Sequence, residues 1–140
     1  MHLPLVNHLA VLVSGVAIFM LGGLWYSPAL FAKTWIAYQG KTEEELKAAA
    51  AGANMPAMYG MALLCGLASA YAMAVVLNHF IDLTPLRASL VGVLCWAGFA
   101  APTSFATALF SMKPKGLWLI DSAYNLVSFV IAANILAVWR

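Results

Sequence analysis

The residues Gly22–Phe31, with the sequence GGLWYSPALF, decide the fold because they end a long apolar segment with two aromatic residues and a proline. Proline lacks an N–H and disfavours the α region for the residue before it, so a helix should stop or kink at Ser27. Trp25 and Tyr26 carry amphipathic rings that suit the headgroup layer of a bilayer. The stretch therefore predicts that a first transmembrane helix leaves the membrane here.

The composition of the chain is that of a membrane protein. Of its 140 residues, 64% are hydrophobic and 9% are charged, and the mean hydropathy is +0.90. A soluble domain carries about 25% charged residues. The net charge of +2 is too small and too dispersed to indicate nucleic-acid binding. The lipid bilayer is the partner that these values predict.

The apolar segments predict an all-α bundle of four transmembrane helices in a single membrane domain, residues 1–140. The predicted spans cover approximately residues 3–26, 55–77, 86–110 and 117–139. The loop between the first two, residues 29–53, should hold a short amphipathic helix that Gly40 ends. A second helix should follow, because Thr42 and Glu45 have the spacing of a capping box.

Small residues predict where helices pack closely. They are Gly22 and Gly23 in the first span, and Ala62, Gly66, Ala70 and Ala74, four residues apart, in the second. Such a ridge fits a neighbouring helix of the same chain or of another copy, and we expect a homo-oligomer. In the third span, Pro102 should kink the helix and free the carbonyl of Gly98.

The distribution of basic residues predicts the orientation. Five lysines fall in the first and third loops, against Arg87 and Arg140 on the other side. The five are Lys33, Lys41, Lys47, Lys113 and Lys115. The positive-inside rule then places these loops in the cytoplasm and both termini outside. We call this side of the bundle the lysine-rich end.

Two groups of residues form a pattern that extends over both halves of the sequence. The first group is Asn7, Gly22, Trp25-Tyr26-Ser27-Pro28, Phe31, Trp35 and Gly40, and the second is Trp96, Gly98, Phe99 and Pro102. Together they resemble a family of bacterial membrane proteins known as domain of unknown function 1761. The resemblance covers nearly the whole chain. It implies a four-helix protein of the bacterial inner membrane and supplies no activity.

Asp121 is the only acidic residue inside a predicted span, and it shares one helix face with Asn125 and Ser128. Ionisable residues within a membrane usually face the bundle interior and often mark ion or substrate paths. The alternative is an interfacial carboxylate, stabilised by the helix dipole and paired with Lys113 or Lys115. The functional interpretation predicts a polar pocket at the lysine-rich end, formed by Tyr26, Ser27, Thr103, Ser104, Thr107, Asp121 and Asn125.

Neither a metal site nor a catalytic site is expected. The histidines His2, His8 and His79 have no spacing typical of metal ligands, and the methionines near Cys65 are better explained as apolar packing. No nucleophile elbow, phosphate loop or paired carboxylates are present in the sequence. We therefore expect no cofactor and no enzyme activity.

Two functional hypotheses follow. The first is an oligomeric transporter or channel for a small solute or ion, with its site around Asp121 and Asn125. The second is a non-transporting accessory or structural protein that binds a partner or a lipid. A water-filled cavity that reaches Asp121 would favour transport, and a satisfied Asp121 with an exposed loop helix would favour the accessory role. A lipid-lined groove between helices would indicate an intramembrane binder of a lipid or a quinone.

Overall fold

The computed structural model describes residues 2–140, which form helices and no β-strand. Four of its helical segments are long and apolar enough to cross a membrane, so the predicted four-helix membrane bundle is confirmed. The helices are α1 (His8–Trp25), α2 (Ala32–Tyr38), α3 (Glu43–Gly52), α4 (Met55–Leu77), α5 (Pro85–Cys95), α6 (Ala101–Phe110) and α7 (Lys115–Val138). A π-helical turn, Trp96–Ala100, joins α5 to α6 in one third span, Pro85–Phe110.

Local sequence signals set several helix starts. The capping box of α3 is confirmed, because the Glu45 N–H donates to Thr42 Oγ1 at 3.2 Å and the Thr42 N–H donates to the Glu45 carboxylate at 3.0 Å. The side chain of Asn54 accepts a hydrogen bond from the main chain at the start of α4. Thr84 caps α5, with Pro85 as its first residue. These ends are therefore encoded by neighbouring residues.

The predicted start of the first span near Leu3 is wrong, because α1 begins at His8 and the residues before it are not helical. The side-chain oxygen of Asn7 accepts hydrogen bonds from the N–H groups of Leu9 and Ala10, both at 3.1 Å. An N-cap residue has non-helical backbone angles, so the chain enters the helix only after Asn7.

Helix α7 is the centre of the fold. It packs against α1, α4 and the third span, whereas α4 and the third span make few contacts with each other. The first two spans thus lie on one side of α7 and the third span on the other. The buried core is rich in alanine, with Ala10, Ala70, Ala88 and Ala133 fully buried. This arrangement leaves a gap over α7 between α4 and the third span.

The small-residue ridge of α4 packs within the chain. A Cβ added to Gly66 would lie 3.0 Å from the carbonyl oxygen of Gly15 on α1, so the two backbones cross closely. Ala70 and Ala74 are buried along the same ridge, while Ala62 is exposed at its end. The close contact of α1 and α4 thus depends on Gly15 as well as on the ridge.

The two glycines at the end of α1 differ in their surroundings. A Cβ on Gly22 would lie 3.1 Å from the hydroxyl of Tyr124 on α7. No atom lies within 4 Å of a Cβ built on Gly23. Successive residues of a helix point about 100° apart, so Gly23 points away from Tyr124, and no helix within residues 2–140 packs closely on it.

The third span continues past Pro102 by changing its helical register. The Ala101 N–H donates to the carbonyl of Trp96, five residues earlier, which defines the π-helical turn. A π-helical turn accommodates a residue that cannot take part in the regular α-helical ladder. A wider turn thus precedes Pro102, and the kink expected at this proline stays a prediction.

Candidate functional site

Asp121 forms the centre of a polar cluster at the lysine-rich end. The Tyr26 hydroxyl donates to Asp121 Oδ1 at 2.7 Å, and the Lys113 ammonium donates to Oδ2 at 2.8 Å. The ion pair is partly exposed on both sides. The pairing with Lys113, one of the alternatives above, is thus present, and both carboxylate oxygens have a donor.

The aromatic pair that ends α1 is fastened to α7. The Trp25 indole N–H donates to the carbonyl of Ile120 at 3.1 Å, next to the Tyr26 contact with Asp121. Burial, followed by the hydrogen bond to Asp121, raises the pKa of Tyr26, which lies just beyond the first span. The phenol is therefore held protonated as the donor to the carboxylate.

Ser27 does not join this cluster. Its hydroxyl donates to the carbonyl of Leu24 at 2.6 Å and so closes the turn after α1. The main chain of the turn is completed by the Phe31 N–H, which donates to the carbonyl of Trp25 at 3.1 Å. Ser27 therefore closes the turn that carries Trp25 and Tyr26, and it lines neither of the two cavities beside Asp121.

Two cavities lie on either side of the ion pair. One, of about 420 Å³, is covered by α2 and is lined by Tyr26 and Trp35 besides Lys113 and Asp121. The other, of about 460 Å³, lies between α6 and α7. This second cavity brings together five of the predicted pocket residues, namely Thr103, Ser104, Thr107, Asp121 and Asn125.

The three hydroxyl groups of α6 in the second cavity have already used their protons. Thr103 donates to the carbonyl of Phe99, Ser104 to that of Ala100 at 2.7 Å, and Thr107 to that of Thr103 at 3.1 Å. None of them bonds to Gly98, where a freed carbonyl was expected. These hydroxyls therefore offer the cavity only acceptor lone pairs.

On α7 the situation is the opposite, because two polar side chains in the same cavity have no partner among residues 2–140. The Ser122 hydroxyl is buried without a hydrogen bond. The Asn125 carboxamide, which is half-buried, has none either. The other asparagines bond through their side chains: Asn7, Asn54, Asn78 and Asn134.

Two further cavities adjoin the second one along α7, since each shares a lining residue with it. A cavity of about 200 Å³ between α4 and α7 shares Asn125 with it. A further cavity of about 460 Å³, between α4 and the third span, shares Thr103 and is lined by Met73, Phe99 and Phe129. We call these three cavities together the lateral groove. It is polar near Asp121 and apolar further along the spans.

Two aromatic hydrogen bonds that involve α7 were not predicted from the sequence. The Tyr124 hydroxyl donates to the carbonyl of Ile18 at 2.8 Å. The Trp96 indole donates to the carbonyl of Ser122 at 2.9 Å. Tyr124 follows Asp121 by one helical turn, and this spacing is a signal that could have identified it. Trp96 gives no such signal, because its acceptor is a main-chain carbonyl of a distant helix.

His8 and His79 contact different residues and do not contact each other. His8 stacks on Tyr71, with ring centroids 6.4 Å apart, and His79 Nδ1 lies 2.7 Å from the carbonyl oxygen of Val75. Within residues 2–140, no three histidine, cysteine or acidic side chains lie close enough together to hold a metal ion.

Four apolar spans packed around α7, with a polar cluster at one end, define the class of this chain as a polytopic membrane protein. The chain belongs to the family described as "protein of unknown function (DUF1761)", whose sequence model matches residues 9–137. No curated protein and no solved structure matches the chain.

Proposed function

We propose that this protein binds a lipid-like amphiphile in the lateral groove, without transport and without catalysis. The observation that carries the proposal is that adjoining cavities with shared lining residues extend from the polar cluster at Asp121 to the apolar wall at Phe99 and Phe129. A ligand with a polar group and a long apolar tail fits such a gradient, as ligand sites combine apolar walls with a few placed polar groups.

The state of Asp121 supports binding over transport. Its two oxygens accept hydrogen bonds from Tyr26 and Lys113, so the carboxylate is already compensated. Helix α3, in turn, is exposed along nearly its whole length and carries no buried residue. A satisfied carboxylate and an exposed loop helix are the features expected of an accessory membrane protein.

Photochemical labelling tests the proposal. The protein is reconstituted in nanodiscs with a phosphatidylcholine that carries a diazirine on one acyl chain, and labelled residues are identified by mass spectrometry. We expect labelling to concentrate on the apolar groove wall. The substitution Ala72→Phe fills the groove from α4 and should reduce this labelling several-fold.

The matched control is Ala97→Phe, which adds the same side chain at an exposed position of the third span. This variant should label like the native protein. Equal labelling of all lipid-facing residues, unchanged by Ala72→Phe, would contradict the proposal, because it describes ordinary bilayer contact.

Transport of a small solute or ion is the second candidate function. It is favoured by the position of the Lys113–Asp121 pair between two cavities, since an ion pair that opens would join them. Flux across proteoliposomes, compared between the native protein and Asp121→Asn, tests this candidate. A flux that the substitution abolishes in a folded protein would support transport over simple binding.

The proposal includes a homo-oligomer that associates through the third span. Of the most apolar part of this span, 11% is buried within the chain, against 28% or more for each of the other three. We propose the bacterial inner membrane as the location, with the lysine-rich end in the cytoplasm. Labelling of single cysteines introduced at Lys41 and at Asp82 from either side of the membrane tests this orientation.

A further inference from the structure

We infer that the lateral groove recognises a hydrogen-bond-accepting carbonyl oxygen on its ligand, and that Asn125 is the donor. The inference rests on the proposed function, since it assigns the chemistry of the ligand in the same groove. It concerns a part of the ligand that lies within the membrane. The location follows from α7, because Asn125 lies ten residues after its start at Lys115, about 15 Å along the helix axis.

The first step is the balance of donors and acceptors in the polar part of the groove. The hydroxyl protons of Thr103, Ser104 and Thr107 are bonded to carbonyls of their own helix. The Trp118 indole proton is also used, since it donates to Ser104 Oγ at 3.0 Å. These groups offer no free proton to a ligand.

The free protons belong to α7 and its preceding turn. They are those of the Asn125 carboxamide and the Ser111 and Ser122 hydroxyls, which have no partner among the described residues, and those of the Lys113 ammonium that do not reach Asp121. All four residues line the same cavity. Asn125 lies furthest along α7 from the lysine-rich end, so its unused N–H groups are the ones that an acceptor on the apolar part of a ligand would meet.

The second step is the energetic cost of leaving these donors free. In hydrocarbon, water does not satisfy a polar group, so an unpaired amide is costly there. Asn134, the other asparagine within a membrane-spanning helix, avoids this cost through bonds to Ser89 and to the carbonyl of Val130. Asn125 differs from it and faces the groove. An acceptor oxygen from a ligand would satisfy it.

The third step is the identity of that oxygen. An apolar molecule that enters from the bilayer carries such an acceptor as a carbonyl, and two membrane components supply it. One is the ester of a diacyl lipid, and the other is the ring carbonyl of an isoprenoid quinone. Both place a carbonyl beside an apolar tail, which here would lie against Phe99 and Phe129.

A competition experiment tests the inference. Nanodiscs are made from dialkyl ether phosphatidylcholine, which has no carbonyl, and the groove is labelled with an ether lipid that carries a diazirine. The competitors are diester phosphatidylcholine and a short-tailed isoprenoid benzoquinone. The reduction in labelling by each of them is compared with the reduction by unlabelled dialkyl ether phosphatidylcholine. We expect at least one of them to compete about three- to tenfold better than the ether lipid, the range for one hydrogen bond in a membrane.

Two variants make the result specific. Asn125→Leu should abolish the advantage of the carbonyl competitor and leave the fold intact, since it removes an amide with no partner in the chain. Asn134→Leu is the matched control on the same helix, because its carboxamide bonds to Ser89 outside the groove. This control should keep the advantage, and circular dichroism of both variants checks the fold.

The outcomes separate this inference from the proposed function. An advantage of the diester that depends on Asn125 assigns a lipid ester, and the same result with the quinone alone assigns a quinone. Equal competition by ether, ester and quinone, with groove labelling intact, overturns the inference and leaves amphiphile binding in place. Loss of groove labelling in the native protein overturns the proposed function itself.

Discussion

The crossing of α1 and α4 can be tested by adding one methyl group to a glycine. In Gly15→Ala, the new Cβ would lie 2.5 Å from Leu67 Cδ2 and 3.0 Å from Leu67 Cα. The leucine side chain can turn away, but its Cα belongs to the backbone of α4. The two helices must therefore separate by a few tenths of an ångström.

The magnitude follows from two opposing effects. Overpacking of a tight core costs about 1–3 kcal/mol, whereas replacing glycine by alanine within a helix contributes about 0.5–1 kcal/mol of stability. Gly15→Ala should thus lower the free energy of unfolding by roughly 1–2 kcal/mol. Gly23→Ala on the same helix meets no atom within 4 Å, so only the favourable effect applies there.

The assay is reversible unfolding in mixed detergent micelles, followed by circular dichroism. Gly15→Ala and Gly23→Ala share the gain in helix propensity. The difference between their free energies of unfolding, about 2 kcal/mol, therefore reports the packing at Gly15 alone. Gly22→Ala should fall between them, since its Cβ would approach the Tyr124 hydroxyl to 3.1 Å. If Gly15→Ala and Gly23→Ala were equally stable, the close crossing of α1 and α4 would be refuted.

Three further predictions concern the polar cluster and α2. Tyr26→Phe should lower the free energy of unfolding by about 1 kcal/mol at neutral pH. Because folding raises the pKa of Tyr26, the stabilisation by this residue is complete below about pH 10 and declines above it. When the free energy of unfolding is measured against pH, the variant should therefore lose less stability at alkaline pH than the native protein. Lys113→Gln should lower the free energy of unfolding by less than Tyr26→Phe does, about 0–1 kcal/mol, because the ion pair between Lys113 and Asp121 is partly exposed. In unfolding experiments in detergent, added salt should reduce this difference between the variant and the native protein. Gly116→Ala places a Cβ 2.2 Å from the ring of Tyr38; hydrogen exchange should then accelerate in α2 and not in the spans, and unchanged exchange would contradict the docking of α2 on α7.

The features that the sequence predicts well are those whose cause lies within a few residues. Thr42 and Glu45 form their capping box across a single helical turn, and Asn54 and Thr84 cap helices in the same way. Hydropathy, in contrast, does not separate a helix from an extended apolar segment. The residues around Leu3 therefore looked like part of the first span, although the chain becomes helical only after Asn7 caps it.

The candidate site combines both kinds of feature. Helical spacing on α7 predicts that Asp121 and Asn125 share a face, and they do line one cavity. The predicted pocket includes both Tyr26 and Asp121, which form a hydrogen bond. The bond from Trp25 to Ile120 could not be predicted, because its acceptor is a main-chain carbonyl of a helix that is distant in sequence. The lateral groove depends on a gap between α4 and the third span, which is a property of the packing and has no pattern in either segment.

The central position of α7 has a consequence for biosynthesis. All the helices that α7 joins precede it in the chain, and α1 and α4 can pair as soon as both have entered the bilayer. The third span has few contacts with α4, so it has no extensive packing partner within the chain until α7 is inserted beside it. A ribosome that pauses before α7 would therefore leave a completed helical hairpin and one unattached helix. Quality-control proteases of the membrane would encounter that intermediate first.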